Sequence, residues 1–350
     1  MKAMQLTGIR QMEMREVAAP FISSDNDVLI KMSAVGVCGS DIHYYTSGRI
    51  GDQIVKYPFT VGHEGAGQVV EVGSEVSTVK PGDRVAIDPA MPCYKCDQCG
   101  EGRFHTCRNL KFLGCPGQVE GCLSEYIVMP ESSCFKIGNI SVDEAVISEP
   151  LAIGIYAVKI SVPMPSAKVA ILGAGPVGLS VMLAAKYNGA ETIYVTDRID
   201  RRLEYAVTAG AKAGFNIDKC DAVKEILKAE QEGLDVVFEC CGKQESLDQA
   251  IEILKPGGKL MIVGIPDVDI VSFDISKLRR KEICIQNVRR QCECTEQTIE
   301  LLNNGLIDVK FMATHSFSFD KTKEAFDLVA GYRNGVLKAV IEFSPSAKSG

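Results

Sequence analysis

Lys168-Val169-Ala170-Ile171-Leu172-Gly173-Ala174-Gly175-Pro176-Val177-Gly178 is the stretch on which the fold turns. Its first five residues, four of them apolar, predict a buried strand, and the apolar run that continues to Gly189 predicts a helix. Between them, Gly173-x-Gly175-x-x-Gly178 has the pattern of a dinucleotide-binding turn. Its glycines permit a tight bend and a close backbone approach, so that a pyrophosphate sits at the positive helix N-terminus. Pro176 and Val177 lie within the turn and count among the cofactor-binding positions. The next expected strand, Thr192–Thr196, leads to Asp197, nineteen residues after Gly178. A carboxylate there accepts hydrogen bonds from the adenosine ribose and repels a 2′-phosphate, which favours NAD over NADP. Arg198 and Arg202 pull the other way, and Arg202 is placed among the cofactor contacts.

Downstream, the same alternation continues. Helices are expected over 200–209, 222–229 and 244–254, with strands over 234–240 and 259–265. Alternating strands and helices imply a parallel, doubly wound sheet with helices on both faces. Upstream, residues 1 to about 150 hold short β-type runs such as 27–32, 67–72 and 84–87, separated by Gly and Pro turns. These predict an irregular, mostly antiparallel, barrel-like domain. After about residue 287 only helices 295–303 and 321–330 and a strand 339–343 are expected. So short a tail is expected to pack back on the first domain. The predicted organisation is therefore α/β, with residues 1–154 and 288–350 in one domain and 155–287 in a nucleotide-binding domain. Residues 344–350, SPSAKSG, read as disordered.

The bulk properties agree with two globular domains. The chain has 350 residues, 46% hydrophobic and 24% charged, against roughly 100–200 residues per domain. A net charge of −7 argues against a broad surface for nucleic acid or anionic membrane. The first residues, MKAMQLTGIRQMEMRE, lack the apolar core of a secretory signal. The most apolar window, 168–190, is interrupted by glycines, Pro176 and Lys186, so a cytoplasmic location is expected. Fourteen cysteines in such a chain suggest metal binding and buried thiols rather than a disulfide scaffold.

Two groups of residues carry metal-type ligands. Cys93-x2-Cys96-x2-Cys99-x7-Cys107 falls within a loop lobe spanning about 90–110. Four thiolates complete a tetrahedral Zn2+ and leave no open position, which makes such a site structural. Unrelated thiols and a nucleic-acid zinc knuckle are the alternatives, the second disfavoured by the acidic charge. The other group is Cys38 in VCGSD, His63 in GHEG beside Glu64, and Glu149 before Pro150. A catalytic zinc takes three protein ligands and keeps one position open. Spacing alone leaves open whether these residues form a metal site. His105 inside the lobe and His315 in a strand-like run read as structural. Cys240 and Cys241 are expected to end a buried strand, and Cys292 and Cys294 to be exposed.

Gly36-x-Cys38-Gly39-Ser40-Asp41, Gly62-His63-Glu64-x-x-Gly67, Pro81-Gly82-Asp83-Arg84-Val85, the four-cysteine lobe and the GAGPVG turn follow one another in order. Together they resemble the medium-chain zinc alcohol dehydrogenase superfamily over nearly the whole chain. Tyr44 to Asp52, YYTSGRIGD, and Ile147-Ser148-Glu149-Pro150-Leu151 resemble its polyol (sorbitol/xylitol, L-iditol 2-) dehydrogenase group. The resemblance implies a GroES-like β-barrel catalytic domain beside a Rossmann domain. It also implies Cys38, His63 and Glu64 as catalytic zinc ligands, with Glu149 as an alternate or water-mediated ligand. Ser40 and His43 resemble a proton relay, and Tyr44 and Arg289 resemble hydroxyl-binding groups. The implied reaction turns a secondary alcohol of a polyol into a ketone and passes hydride to NAD, in a homotetramer. Arg290 stands where relatives often carry an aromatic residue, a departure that bears on polyol preference. Butanediol and threonine dehydrogenases share the zinc and cofactor motifs, and a catalytically dead nucleotide-binding regulator is the alternative of another class.

Overall fold

In the computed structural model, which describes residues 1–343, the chain divides into two compact units. The first comprises Met1–Glu149 with Thr295–Gly350, the second Pro150–Cys294. The stretch expected to be disordered, 344–350, lies outside the described residues.

A seven-stranded sheet organises the first unit. Along it lie Cys134–Lys136, Arg84–Ile87, Glu64–Val72, Asp27–Gly36, Lys338–Glu342 and Ala313–Ser318, and Tyr126–Pro130 also pairs with Asp27–Gly36. Strand Asp27–Gly36 alternates in burial, sending Val28, Ile30 and Met32 into the core. Its last residue pairs with the first of the next strand, Gly36 against Glu64, and with Val340 on its other side. The C-terminal strand Lys338–Glu342 thus lies within this sheet. The sheet is antiparallel except between Ala313–Ser318 and Lys338–Glu342, which run parallel. Parallel neighbours need a crossover, and helix Thr322–Ala330 supplies it.

Four described helices lie outside the expected ones, Gly39–Ser47, Asp97–Gly100, Val142–Lys159 and Ile275–Lys281, and two of them bear on the site. Gly39–Ser47 follows directly on the Asp27–Gly36 strand, with Cys38 at its N-cap and Gly48 ending it in the left-handed region. Val142–Lys159 contains Pro150, which removes one helical donor and masks the pattern in sequence. The division between the units falls inside this helix, after Glu149.

The second unit is a six-stranded sheet, parallel throughout: Ala213–Asn216, Thr192–Asp197, Lys168–Leu172, Leu234–Glu239, Leu254–Ile262 and Cys284–Asn287. The first strand in sequence lies centrally, so the connections turn outward in both directions from its edges. Its Val169, Ala170, Ile171 and Leu172 are at most 1% exposed, as a strand covered on both faces requires. Helices Asp200–Ala209 and Ala222–Ala229 occupy the expected positions, the second capped by Asp221 accepting from the Lys224 amide.

The unassigned cysteines depart from expectation. The strand ends at Glu239, so Cys240 is half-buried and Cys241 exposed in the following turn. Cys292 and Cys294 are buried rather than exposed. Their segment folds inward, with the Cys294 amide donating to the Gln291 side chain at 2.8 Å. All fourteen cysteines are free thiols. Among the described residues, no helix is long and apolar enough to cross a membrane.

Candidate metal and cofactor sites

In the first unit, the ends of adjacent strands converge. Cys38 follows Asp27–Gly36, His63 precedes Glu64–Val72, and Glu64 opens that strand. One ligand atom from each of Cys38, His63 and Glu64 lies within 4.8 Å of the others. Gly36 makes the arrangement possible, because a Cβ there would stand 2.2 Å from Glu64 Oε2. His63 and Glu64 are buried, while Cys38 remains partly accessible. Burial with access at one edge suits a reactive ion better than a closed structural one.

Asp41 holds the cluster in shape. It is fully buried; Oδ2 accepts from the Cys38 amide at 3.2 Å and Oδ1 from the Gly62 amide at 3.2 Å. Oδ1 also lies 3.4 Å from His63 Nδ1, which leaves Nε2 as the ring's ligating atom. Burial lowers the His63 pKa, but the charges of Asp41 and Cys38 outweigh it and raise the imidazole well above its usual value. Sequence reading gave Asp41 no role, although its place three residues after Cys38 puts it one helical turn further on.

Two more charged groups enter the same region. Lys338 is 1% exposed, and its Nζ donates to both Glu64 oxygens, at 2.6 and 2.5 Å. Glu149 is buried, and its Oε2 has no hydrogen-bond partner. Burial raises its pKa to about 7, helped by the Glu64 charge and opposed by His63 and Lys338. Cys38, Asp41, Glu64 and Glu149 together outweigh the single ammonium of Lys338 and one imidazole. Such an excess of buried acidic groups, with an orphaned carboxylate oxygen, fits a divalent cation. The donor set of thiolate, imidazole and carboxylate fits zinc.

The lobe is built differently. The sulfurs of Cys93, Cys96, Cys99 and Cys107 all lie within 4.8 Å of one another. Backbone donors face them: the Cys93 amide reaches Cys107 Sγ at 3.2 Å and the Asn109 amide reaches it at 3.4 Å. The Lys95 backbone hydrogen bond leads the interactions that lower the Cys93 thiol to about 6. Four thiols supported in this way fit a closed tetrahedral zinc. His105 is buried in the short 3-10 turn Phe104–Thr106 of the lobe, and His315 sits in strand Ala313–Ser318.

Of the other expected site residues, Ser40 donates to Cys38 Sγ at 3.3 Å. His43 is half-buried on the same helix, where positions 40, 43 and 44 share a face. Tyr44 is 5% exposed, and its hydroxyl donates to Gln53 at 2.9 Å. Arg289 is exposed just beyond strand Cys284–Asn287 of the second unit, and Arg290 follows with a left-handed φ of 55°.

In the second unit, the glycine-rich turn has the form that a pyrophosphate needs. Gly175 caps helix Pro176–Tyr187, with Pro176 in its first turn. A Cβ on Gly178 would lie 1.8 Å from the Gly173 carbonyl oxygen, so only glycine permits this close packing. Asp197 Oδ2 accepts from the Ala174 amide at 2.7 Å and Oδ1 from the Ile199 amide at 2.9 Å. Arg202 is 7% exposed, and its Nη1 stands 3.8 Å from where a Gly175 Cβ would be. Asp197, Arg202, Gly173, Gly175 and Gly178 are therefore neighbours, and Val177 lies within the same first helical turn.

Residues 24–139 match the alcohol dehydrogenase GroES-like domain and residues 176–304 the zinc-binding dehydrogenase domain. The chain is 39% identical to a sorbitol dehydrogenase of Bacillus subtilis (strain 168) over 97% of each chain. It is 35% identical to an L-idonate 5-dehydrogenase of Vitis vinifera over 95% of this chain and 92% of the relative. Among solved structures, an Escherichia coli oxidoreductase of unknown specificity superposes with a TM-score of 0.92 at 34% identity, covering 98% of this chain and 99% of that one. With its two domains matched in order and a full-length relative at this identity, the chain belongs to the zinc-binding, medium-chain alcohol dehydrogenase family.

Proposed function

We propose that this chain is a polyol dehydrogenase of the sorbitol/xylitol type, oxidising a secondary alcohol to a ketone with NAD as hydride acceptor. The observation that carries the reading is the cluster of Cys38, His63 and Glu64, partly accessible at the thiol and distinct from the closed lobe. Similarity to sorbitol and L-idonate dehydrogenases supports the polyol class. Zinc supplies Lewis acidity that makes an alcohol hydroxyl easier to deprotonate, and the nicotinamide supplies the hydride acceptor.

The chain's residues do the rest. Cys38, His63 and Glu64 would hold the catalytic zinc, with Glu149 as alternate ligand, and Cys93, Cys96, Cys99 and Cys107 the structural one. Asp41 fixes the His63 tautomer so that Nε2 is presented. Ser40, whose hydroxyl rests on the Cys38 sulfur, would relay the alcohol's proton: its Oγ accepts that proton as its own hydroxyl proton passes to His43, which releases it to solvent. Tyr44 donates its hydroxyl proton to Gln53, so its oxygen stays able to accept from a substrate hydroxyl. Arg289 is assigned the remaining hydroxyl contacts. Gly173, Gly175, Pro176, Val177 and Gly178 cradle the pyrophosphate, Asp197 binds the adenosine ribose and Arg202 lies alongside. The first unit is assigned as the zinc domain and the second as the NAD domain. A cytoplasmic homotetramer completes the proposal.

The test is NADH formation with sorbitol, xylitol, galactitol, 2,3-butanediol and threonine, before and after chelation. Polyol-dependent NADH that chelation abolishes and zinc restores supports the assignment. Turnover confined to butanediol or threonine replaces the substrate class and keeps the chemistry. Silence across the panel from zinc-loaded protein that still binds NAD makes the chain a nucleotide-binding regulator.

A further inference from the structure

Lys338 is a buried ammonium group that none of the steps above uses. It opens strand Lys338–Glu342, whose neighbour Asp27–Gly36 pairs in turn with Glu64–Val72. The three strand ends bring Lys338, Val37 and Glu64 together: Nζ donates to both Glu64 oxygens and to the Val37 carbonyl at 3.2 Å. The Val37 amide donates to the Ala339 carbonyl at 2.9 Å, which fixes the strand beside the residue preceding Cys38. Both members of the pair are about 1% exposed, so the ammonium charge is scarcely screened by water.

A carboxylate that accepts from an ammonium with both oxygens is held in one orientation. It also gives up electron density and charge that a metal ion would otherwise take. A positive charge one contact away from a ligand repels a dication directly. Resting on the assignment of Cys38, His63 and Glu64 as zinc ligands, we infer that Lys338 is a positioning residue. It holds Glu64 in place for the ion, and its fixed charge loosens zinc at this site. The C-terminal strand is thereby part of the metal site. At the lobe, the sulfurs are faced instead by the Cys93 and Asn109 amides and the Asn109 side chain.

The experiment measures zinc affinity by competition with a chromophoric chelator on the full-length chain. It compares the native protein with K338M, K338Q and K338R, and uses H63A to identify which zinc belongs to the Cys38 site. K338M should bind that zinc at least about tenfold more tightly, because the repelling charge is gone. K338R, which keeps the charge, should stay within about threefold of native, and the lobe zinc should be unchanged in all variants. K338Q, uncharged but still a hydrogen-bond donor to Glu64, should tighten zinc as K338M does and stands in for it if K338M does not fold. A merely structural lysine would lower stability without changing zinc affinity. Two zincs per native chain with unchanged or weaker affinity in K338M and K338Q overturn the inference alone. A single zinc per native chain, retained in H63A, overturns the zinc assignment and the inference with it.

Discussion

Four thiols within fifteen residues make the lobe at Cys93–Cys107, whereas Cys38, His63, Glu64 and Lys338 are brought together from positions up to 300 residues apart. The lobe offers one kind of donor and closes on itself. The other cluster mixes thiol, imidazole and carboxylate, adds a buried ammonium, and leaves Cys38 partly accessible. The difference teaches which job each can do. A uniform, local set is suited to holding a loop, while a mixed set built across a sheet can place acid, base and ligand around a substrate.

The largest expected effect comes from the mixed cluster. H63A should reduce polyol oxidation by about 10³-fold or more, since Lewis-acid stabilisation is worth several kcal/mol. It should also remove one zinc and leave the other, as metal analysis of the purified variant would read. Activity within tenfold of native would break the distinction between the two clusters. C96S should do the reverse, losing the lobe zinc and lowering Tm by about 5 °C or more while the folded fraction keeps most of its turnover. An equal loss of turnover per folded chain would mean that the lobe is not a separate structural element.

Next comes the cofactor turn. D197A removes the acceptor that ties the Ala174 and Ile199 amides and that the proposed function assigns to the ribose, and should raise the KM for NAD about tenfold. If the discrimination against NADP is unchanged in this variant, Asp197 does not set cofactor preference.

The smallest effect sharpens the contrast between buried carboxylates. Glu230, 7% exposed in the second unit, accepts from Lys168, Tyr194 and Lys212. The Lys168 contact leads the interactions that hold its pKa down to about 2, against the opposing effect of burial. With the folded value below the unfolded one, this group stabilises the fold above about pH 4.5. The contribution fades as pH falls through about 2. E230Q should therefore cost about 1–2 kcal/mol at neutral pH, once screening of the partly exposed lysines is counted, and little in acid. Denaturant unfolding at pH 7 and pH 3 would check it; an equal loss at both would assign the effect to packing.

How much was legible in the sequence follows from distance along the chain. The lobe and the GAGPVG turn are contiguous patterns, and helices 200–209 and 222–229 have strong periodicity and occupy the expected positions. Helix Val142–Lys159 was hidden because Pro150 breaks the pattern that marks a helix. Asp41 closes the VCGSD motif, yet its part in orienting His63 depends on strand ends that meet only in the fold. Lys338 directly precedes the expected strand 339–343. Nothing local marks it, because its partner lies 274 residues away and burial comes from sheet register. The exposure of Cys241 and the burial of Cys292 and Cys294 likewise follow from where turns point, which periodicity does not encode.

The central claim is that one zinc works and the other holds. Its most direct test is to withdraw zinc from the native protein with increasing chelator, following released metal, folded structure and polyol-dependent NADH formation together. The account predicts two steps. The first zinc leaves with all of the activity while the fold persists, and the second leaves only with loss of structure at the lobe. Full activity after one zinc has gone from a protein that lacks the Cys38–His63–Glu64 metal, or activity lost only with the second, would contradict it.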